Sequence, residues 1–418
     1  MARPKISIHI HNRPDDAICV FSTLDTISGE VAITFEHNIS YLDVKISFEG
    51  ASSQLTGSSI RMLIGDIAGR TTVTIRNDFG GQSKAAETFL HLEGHVDDKP
   101  LLENGTSQTF PFAFVVPKAL SSFSCQHSSR DTLVPYAHTE LPPSLGSRSS
   151  SLYSSSRNEP AIDSQCPQAV RIEYHIVASF LLQNTQSRYP VSARREICIL
   201  PTAKSERPPR PFAPPLIDLC APKPGVQPFT VHKDLKHGVF QTRLGRLSIR
   251  AVQPDPISMG LHSGRPAHTL LTLHMRFETC HNIAIPPPAL SRITTSLRAI
   301  TFFSTSPWTE IPTDPVAVRK QMRSGVYVKT VQLGMRELAS VIWEECPGDQ
   351  GEQSGKIVYE AVVQTPVLLP NDRVFVPTFH SCLVARCYEL LVKVSYRGRN
   401  GSLPGRVAVD VPVTVGVG

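Results

Sequence analysis

The residues most able to do chemistry stand near the end of the chain, where His380-Ser381-Cys382 is followed by Cys387. An imidazole and two thiols are zinc ligands by type. Structural zinc takes four ligands, usually in paired Cys-x₂₋₄-Cys or His groups. No Cys-x-x-Cys pair occurs anywhere in the chain. From Tyr388 onward the residues alternate, with Tyr388, Leu390, Val392, Val394 and Tyr396 apolar, which is the period of a half-buried strand. Cys382 and Cys387 are five apart, so on one strand they point to opposite faces, a poor geometry for holding one ion. The expectation is no metal site, with these cysteines as ordinary buried thiols.

Other chemistries find less support. The nearest approach to Gly-x-Ser-x-Gly is Gly81-Gln82-Ser83-Lys84-Ala85. It precedes a strand-like stretch and does not join a strand to a helix, so the nucleophile-elbow context is missing. Neither Gly-x-x-x-x-Gly-Lys nor Gly-x-Gly-x-x-Gly occurs, which leaves phosphate-cradling loops without a signal. The sequence therefore predicts no enzyme, no catalytic residues and no cofactor. The net charge is +6, and no block of five or six like charges appears. A nucleic-acid partner is not expected.

Two polar segments offer regulation in place of catalysis. Residues 121–168 include the serine run around Ser149, Ser150, Ser151 and Ser154, with Arg148 three residues before Ser151. That spacing suits basophilic kinases, and each phosphate would add ~1.5–2 negative charges. Too polar to bury much apolar area, the stretch reads as a disordered insertion. Residues 206–228 are dense in proline. Among Pro208, Pro209, Pro211, Pro214 and Pro215, the residues Pro208, Pro211 and Pro214 make overlapping Pro-x-x-Pro steps beside Arg207 and Arg210. Such a run favours polyproline II, as a stiff spacer or a ligand for aromatic grooves.

The elements that must carry these residues are strands. Period-2 alternation recurs in "VAITFEH", "LDVKISFEG", "TTVTIRN", "ETFLHLEGHV" and "QTFPFAFVVP". In the last of these, Pro111 implies an edge strand or a strand entry. In "AVRIEYHIVASFLL", Ile172, Tyr174 and Ile176 face away from Arg171, Glu173 and His175. After the prolines the pattern resumes in "RLSIRAVQ", "TLLTLHMRFET", "ITTSLRAITFFST", "GVYVKTVQLG", "GKIVYEAVVQTPVLL" and "RVAVDVPVTV". The one segment that reads as a short helix is "MRELASVIWEE", residues 335–345. Short strands at regular spacing predict a β-sandwich on each side of the proline run. No apolar segment is long enough to span a membrane, and none near residue 1 reads as a secretion signal. The expected setting of the nine cysteines is the reducing cytosol.

Taken in order, several motifs resemble the arrestin family, in its α-arrestin branch abundant in fungi. They are "GEVAITFEHNISYLDVKISFEG" (29–50), "FPFAFVVPKAL" (110–120), "VRIEYHIVASFLL" (170–182), "RLSIRAVQP" and "LLPNDRVFVPTFHSCLVARCYELLVKVSY" (368–396). The resemblance implies an all-β chain of two tandem antiparallel immunoglobulin-like β-sandwiches, the arrestin fold. An arrestin N-terminal-like domain would occupy 1–205, a proline-rich linker 206–228 and a C-terminal-like domain 229–418. It also implies a non-enzymatic adaptor, cytoplasmic or peripheral at the plasma membrane or endosomes. Such adaptors bind cytoplasmic tails of membrane transporters or receptors and promote ubiquitin-dependent endocytosis and sorting. α-Arrestins recruit a HECT ubiquitin ligase through Pro-Pro-x-Tyr. In this chain the tyrosine position is held by Leu145, Pro211, Ile217, Ala289 or Leu290, so recruitment would need an indirect or non-consensus contact. A sorting scaffold in the style of a retromer subunit, independent of any ligase, is the alternative the same sandwiches permit. An enzyme with an unrecognised site is the other.

Overall fold

The structure is a computed structural model of the chain. It describes residues 5–13, 19–34, 42–43, 66–76, 82–92, 107–121, 127–128, 133–146, 165–167, 170–182, 191–202, 229–237, 242–260, 267–280, 285–346, 357–371, 373, 375–397 and 404–418. Two compact units are formed. One comprises Met1–Lys204, Thr301–Tyr327 and Asp372–Ala385. The other comprises Ser205–Ile300, Val328–Asn371 and Arg386–Gly418.

Over the first 199 residues the elements are β1 (Lys5–Ile10), β2 (Val20–Phe21), β3 (Thr26–Thr34), β4 (Leu42–Asp43), β5 (Asp66–Arg76), β6 (Gln82–Leu92), β7 (Ser107–Val115), α1 (Leu133–Ala137), β8 (Val170–Leu182) and β9 (Val191–Ile199). Strands β1, β3 and β7 make one antiparallel sheet in that order, and β2-β9-β8-β5-β6 make a second, with β4 on β8. Alternation does what the sequence implies. Ile27, Val31 and Ile33 of β3 are buried with Phe110, Phe112 and Phe114 of the neighbouring β7. Pro111 lies on β7 at the sheet edge, opposite Glu30, where its missing N–H breaks no ladder. On β8, Val170, Ile172, Tyr174 and Ile176 are buried, and Phe89 of β6 meets Tyr174 edge-on at 5.6 Å. Of the expected strand at 42–50, only Leu42–Asp43 lies among the described residues.

The stretch expected to be a disordered insertion departs from that expectation over residues 133–146. Leu145 is 1% exposed, and Val134, Ala137 and Leu141 are also buried. Leu145 exchanges two backbone hydrogen bonds with Ile172 of β8, at 3.0 and 2.8 Å. The Ser144 N–H donates to the Ile199 carbonyl, and the Ser144 hydroxyl accepts from the Ile199 N–H, at 2.8 and 2.9 Å. The Tyr174 hydroxyl donates to the Pro142 carbonyl. The physical reason is that "LPPSL" carries two leucines at spacing four, which bury while the backbone pairs with β8. Average composition over 48 residues hid them.

The remaining elements are β10 (Thr230–His237), β11 (Thr242–Ala251), β12 (Ile257–Met259), β13 (His268–Thr279), β14 (Ala289–Ser304), α2 (Pro315–Arg319), β15 (Ser324–Glu337), β16 (Glu344–Cys346), β17 (Val358–Leu368), β18 (Phe379–His380), β19 (Val384–Arg397), β20 (Gly405–Val413) and β21 (Val415–Val417). One sheet runs β10-β11-β13-β17-β16 and another β15-β14-β19-β18, with β20 on β19. β12 and β21 pair in parallel. Tyr388, Leu390, Val392 and Val394 of β19 lie opposite Val413, Val411, Val409 and Val407 of β20. All eight are buried.

The expected helix at 335–345 does not form. β15 continues to Glu337, and β16 begins at Glu344. Met335 is 61% exposed and Ile342 is 81% exposed, so the segment has no apolar face to pack a helix, and strand pairing prevails over propensity. A short helix forms instead at α2, from a local start signal. Asp314 caps it, accepting from the Val316 N–H at 2.8 Å, and Pro315 opens it, an ordinary N-terminal pair. Among the described residues no helix is long and apolar enough to cross a membrane.

Candidate functional site

Within the first unit a cluster of histidines and one cysteine forms around two anchored turns. The first turn follows α1. Its last turn is closed by the His138 N–H donating to the Val134 carbonyl at 2.9 Å, and Thr139 is held by the Leu120 N–H on its carbonyl at 2.8 Å. His138 is thereby fixed with only 3% of its surface exposed. The second turn lies between β18 and β19. The Ser381 N–H and hydroxyl both donate to the Val384 carbonyl at 2.8 Å, and the same hydroxyl accepts from the Val384 N–H. Serine suits this place because its short hydroxyl can bond the backbone of its own turn. The Trp308 N–H donates to the Cys382 carbonyl at 2.9 Å and the Ser304 N–H to that of Leu383 at 2.9 Å. Cys382 thus sits in a tight turn, before β19 begins at Val384.

The two turns meet at His127, His138 and Cys382, whose ligand atoms all lie within 4.8 Å of one another. His127 Nε2 stands 3.1 Å from His138 Nδ1, with ring centroids 5.1 Å apart. His127 is partly exposed, whereas His138 and Cys382 are buried. Burial, and then the neighbouring His127 and His380, lower the His138 pKa to about 3. Burial lowers that of His380 to about 4. The charged forms of His138 and His380 are disfavoured because burial excludes water.

The sequence weighed His380, Cys382 and Cys387 together. The structure instead groups Cys382 with His127 and His138, while Cys387 lies within β19. His127 and His138 escaped sequence reasoning because more than 240 residues separate them from Cys382. His380 is buried on β18. Ser83 lies inside β6, opposite Ile75 of β5, in regular strand rather than at a strand-to-helix turn. The candidate phosphorylation serines Ser149, Ser150, Ser151 and Ser154 lie outside the described residues, as do Pro208, Pro209, Pro211, Pro214 and Pro215. An open groove of about 530 Å³ adjoins α2, lined by Trp308, Ile311, Pro312, Val318 and Met322.

In the other unit, the outer face of β13 and β17 carries the apolar side chains Leu270, Val362, Pro366 and Leu368 among the polar His268, His274, Arg276, Glu360 and Gln364. Leu270 pairs with Pro366, His268 with Leu368 and His274 with Val362. Leu270, Val362 and Leu368 are 52%, 59% and 45% exposed. The inward residues of the same strands, such as Leu271, Leu273, Val363 and Val367, are buried. The outer apolar residues are therefore additional to what the core requires.

Comparison with known proteins gives solved structures only. The crystal structure of squid arrestin covers 99% of this chain and 94% of its own, at 8% identity and a TM-score of 0.30. That of Spo0M, a sporulation control protein from Bacillus subtilis, covers 67% of this chain and 80% of its own, at 11% identity and a TM-score of 0.23. No protein-family model and no curated protein matches the chain.

Proposed function

We propose that this protein is a non-enzymatic, arrestin-like adaptor that binds cytoplasmic regions of membrane transporters or receptors and promotes their endocytosis and sorting. The observation that carries the reading is the outer face of β13 and β17, where Leu270, Val362, Pro366 and Leu368 are exposed on a regular antiparallel sheet. Clustered apolar residues on a sheet face beyond the needs of the core mark a surface for a partner. The ordered arrestin-type motifs of the sequence supply the class of partner. Recruitment of a ubiquitin ligase, on this reading, uses a contact other than Pro-Pro-x-Tyr. A WW groove reads two prolines as a polyproline II ridge and, in the Pro-Pro-x-Tyr class, needs a tyrosine ring for its second pocket.

The test is affinity purification with mass spectrometry, using the wild-type chain and a Leu270→Asp/Val362→Asp double variant. The expected result is membrane transporters or receptors in the wild-type eluate, and their loss from the variant with its circular dichroism unchanged. Calorimetry with isolated WW domains should show no binding at micromolar concentration, the level of about 8 kcal/mol. A stable set of coat or sorting subunits with no transporters would overturn the adaptor reading in favour of a sorting scaffold.

A further inference from the structure

We propose that His127, His138 and Cys382 form a zinc-binding site that ties His127 and the end of α1 to the Ser381–Val384 turn. The separations suit the ion. Tetrahedral zinc with Zn–N of about 2.0–2.1 Å and Zn–S of about 2.3 Å puts neighbouring nitrogens roughly 3.3 Å apart and nitrogen and sulfur roughly 3.6 Å apart. The two imidazole nitrogens already stand 3.1 Å apart. The whole set fits inside 4.8 Å, so closing on an ion needs a shift of no more than about 1.2 Å on the sulfur side.

The donor set selects the class of metal. Two imidazoles and a thiolate, with no carboxylate in the group, suit a borderline-soft ion and give calcium or magnesium nothing to hold. The outer contacts agree. His127 Nδ1 lies 3.4 Å from the Ser128 carbonyl oxygen. A proton on Nδ1 directed there leaves the Nε2 lone pair for the ion, the usual way a ligating histidine is oriented. Cys382 is a thiol. Binding forms the Zn–S bond and releases that one proton to solvent, while the imidazoles bind in their neutral form. The proton between the two rings moves to the outer nitrogen of its own ring. Three protein ligands leave the fourth position for water or one further donor.

Both ends of the site are already positioned without the ion. Cys382 is held by the Trp308 and Ser381 contacts, and His138 by the end of α1. This preorganisation is what separates a site from a chance meeting of surface side chains.

The experiment uses the full chain, stripped with a chelator and titrated with Zn²⁺ in a competing-indicator buffer, then with Co²⁺ as an optical probe. One equivalent of Zn²⁺ should bind, and it should raise the thermal midpoint. The Co²⁺ form should show a thiolate-to-metal charge-transfer band. Cys382→Ser and His127→Gln should each weaken Zn²⁺ by more than the roughly 10–100-fold that loss of an outer-shell partner costs. The control Cys280→Ser should leave it unchanged. His127→Gln alters a partly exposed position, so it decides the question even if Cys382→Ser does not fold. Absence of Zn²⁺ binding by the wild type at micromolar free ion overturns the proposal, as does wild-type affinity in any folded ligand variant.

Discussion

Replacing Leu145 by alanine tests whether the 133–146 segment belongs to the first unit's core. The side chain is 1% exposed and lies beside Ile172, to whose backbone it is paired. Alanine keeps both backbone hydrogen bonds, so only packing is lost. Three carbons leave an apolar site, at about 0.8 kcal/mol each, or ~2.4 kcal/mol. The unfilled cavity adds to this, and measured Leu→Ala costs span about 2–5 kcal/mol. For a unit of this size each kcal/mol moves the thermal midpoint by about 2–4 °C, so a fall of roughly 4–20 °C is expected. The assay is urea unfolding with near-ultraviolet circular dichroism, alongside a thermal melt. Val115→Ala, at a side chain 52% exposed on β7, serves as the contrast and should change stability by no more than ~0.5 kcal/mol. Equal midpoints for the two variants would refute the placement of Leu145 in the core. The same logic separates two deletions. Excising 149–162 should be tolerated, while excising 140–162 removes Leu141, Ser144 and Leu145 and should destabilise the unit.

Three further outcomes follow from named contacts. Leu390→Ala should cost about 2–5 kcal/mol, because Leu390 is fully buried on β19 opposite Val411. Lys393→Ala, on the other face, should cost no more than ~0.5 kcal/mol by chemical denaturation. Gly29→Ala should lower the thermal midpoint more than Leu390→Ala does, since its Cβ would overlap the His9 carbonyl oxygen and come 2.6 Å from the Phe112 ring. The first unit should also weaken in alkali. Burial pushes the Cys198 thiol up to about 12 and the Tyr174 hydroxyl well above its ordinary value. Above about pH 9 the unfolded chain loses the Cys198 proton while the folded chain keeps it, so stability is full below that pH and falls by about 1.4 kcal/mol per pH unit up to about 12. Urea midpoints measured across that range should show a shallower fall in Cys198→Ala, and an unchanged slope would count against the buried-thiol assignment.

Most of the strands were legible in the sequence because each is a local pattern. Phe110, Phe112 and Phe114 alternate with polar or small residues, and so do Ile172, Tyr174 and Ile176. A pleated chain turns that spacing directly into an inner and an outer face. The Asp314-Pro315 helix start was equally local. Helix α2 apart, the deciding interaction was distant wherever the reading failed. "MRELASVIWEE" has the residues of a helix, yet no apolar surface is offered to pack it. "LPPSL" looked like part of a polar loop, yet β8 and β9 supply partners for its backbone. The candidate metal site depends most heavily on tertiary structure. His127, His138 and Cys382 are brought within 4.8 Å by the end of α1 and the turn before β19, and no spacing along the chain encodes that meeting. Periodicity records which side of an element a residue faces. Which residues from different elements come together is set by how the elements pack, and that is a property of the whole fold.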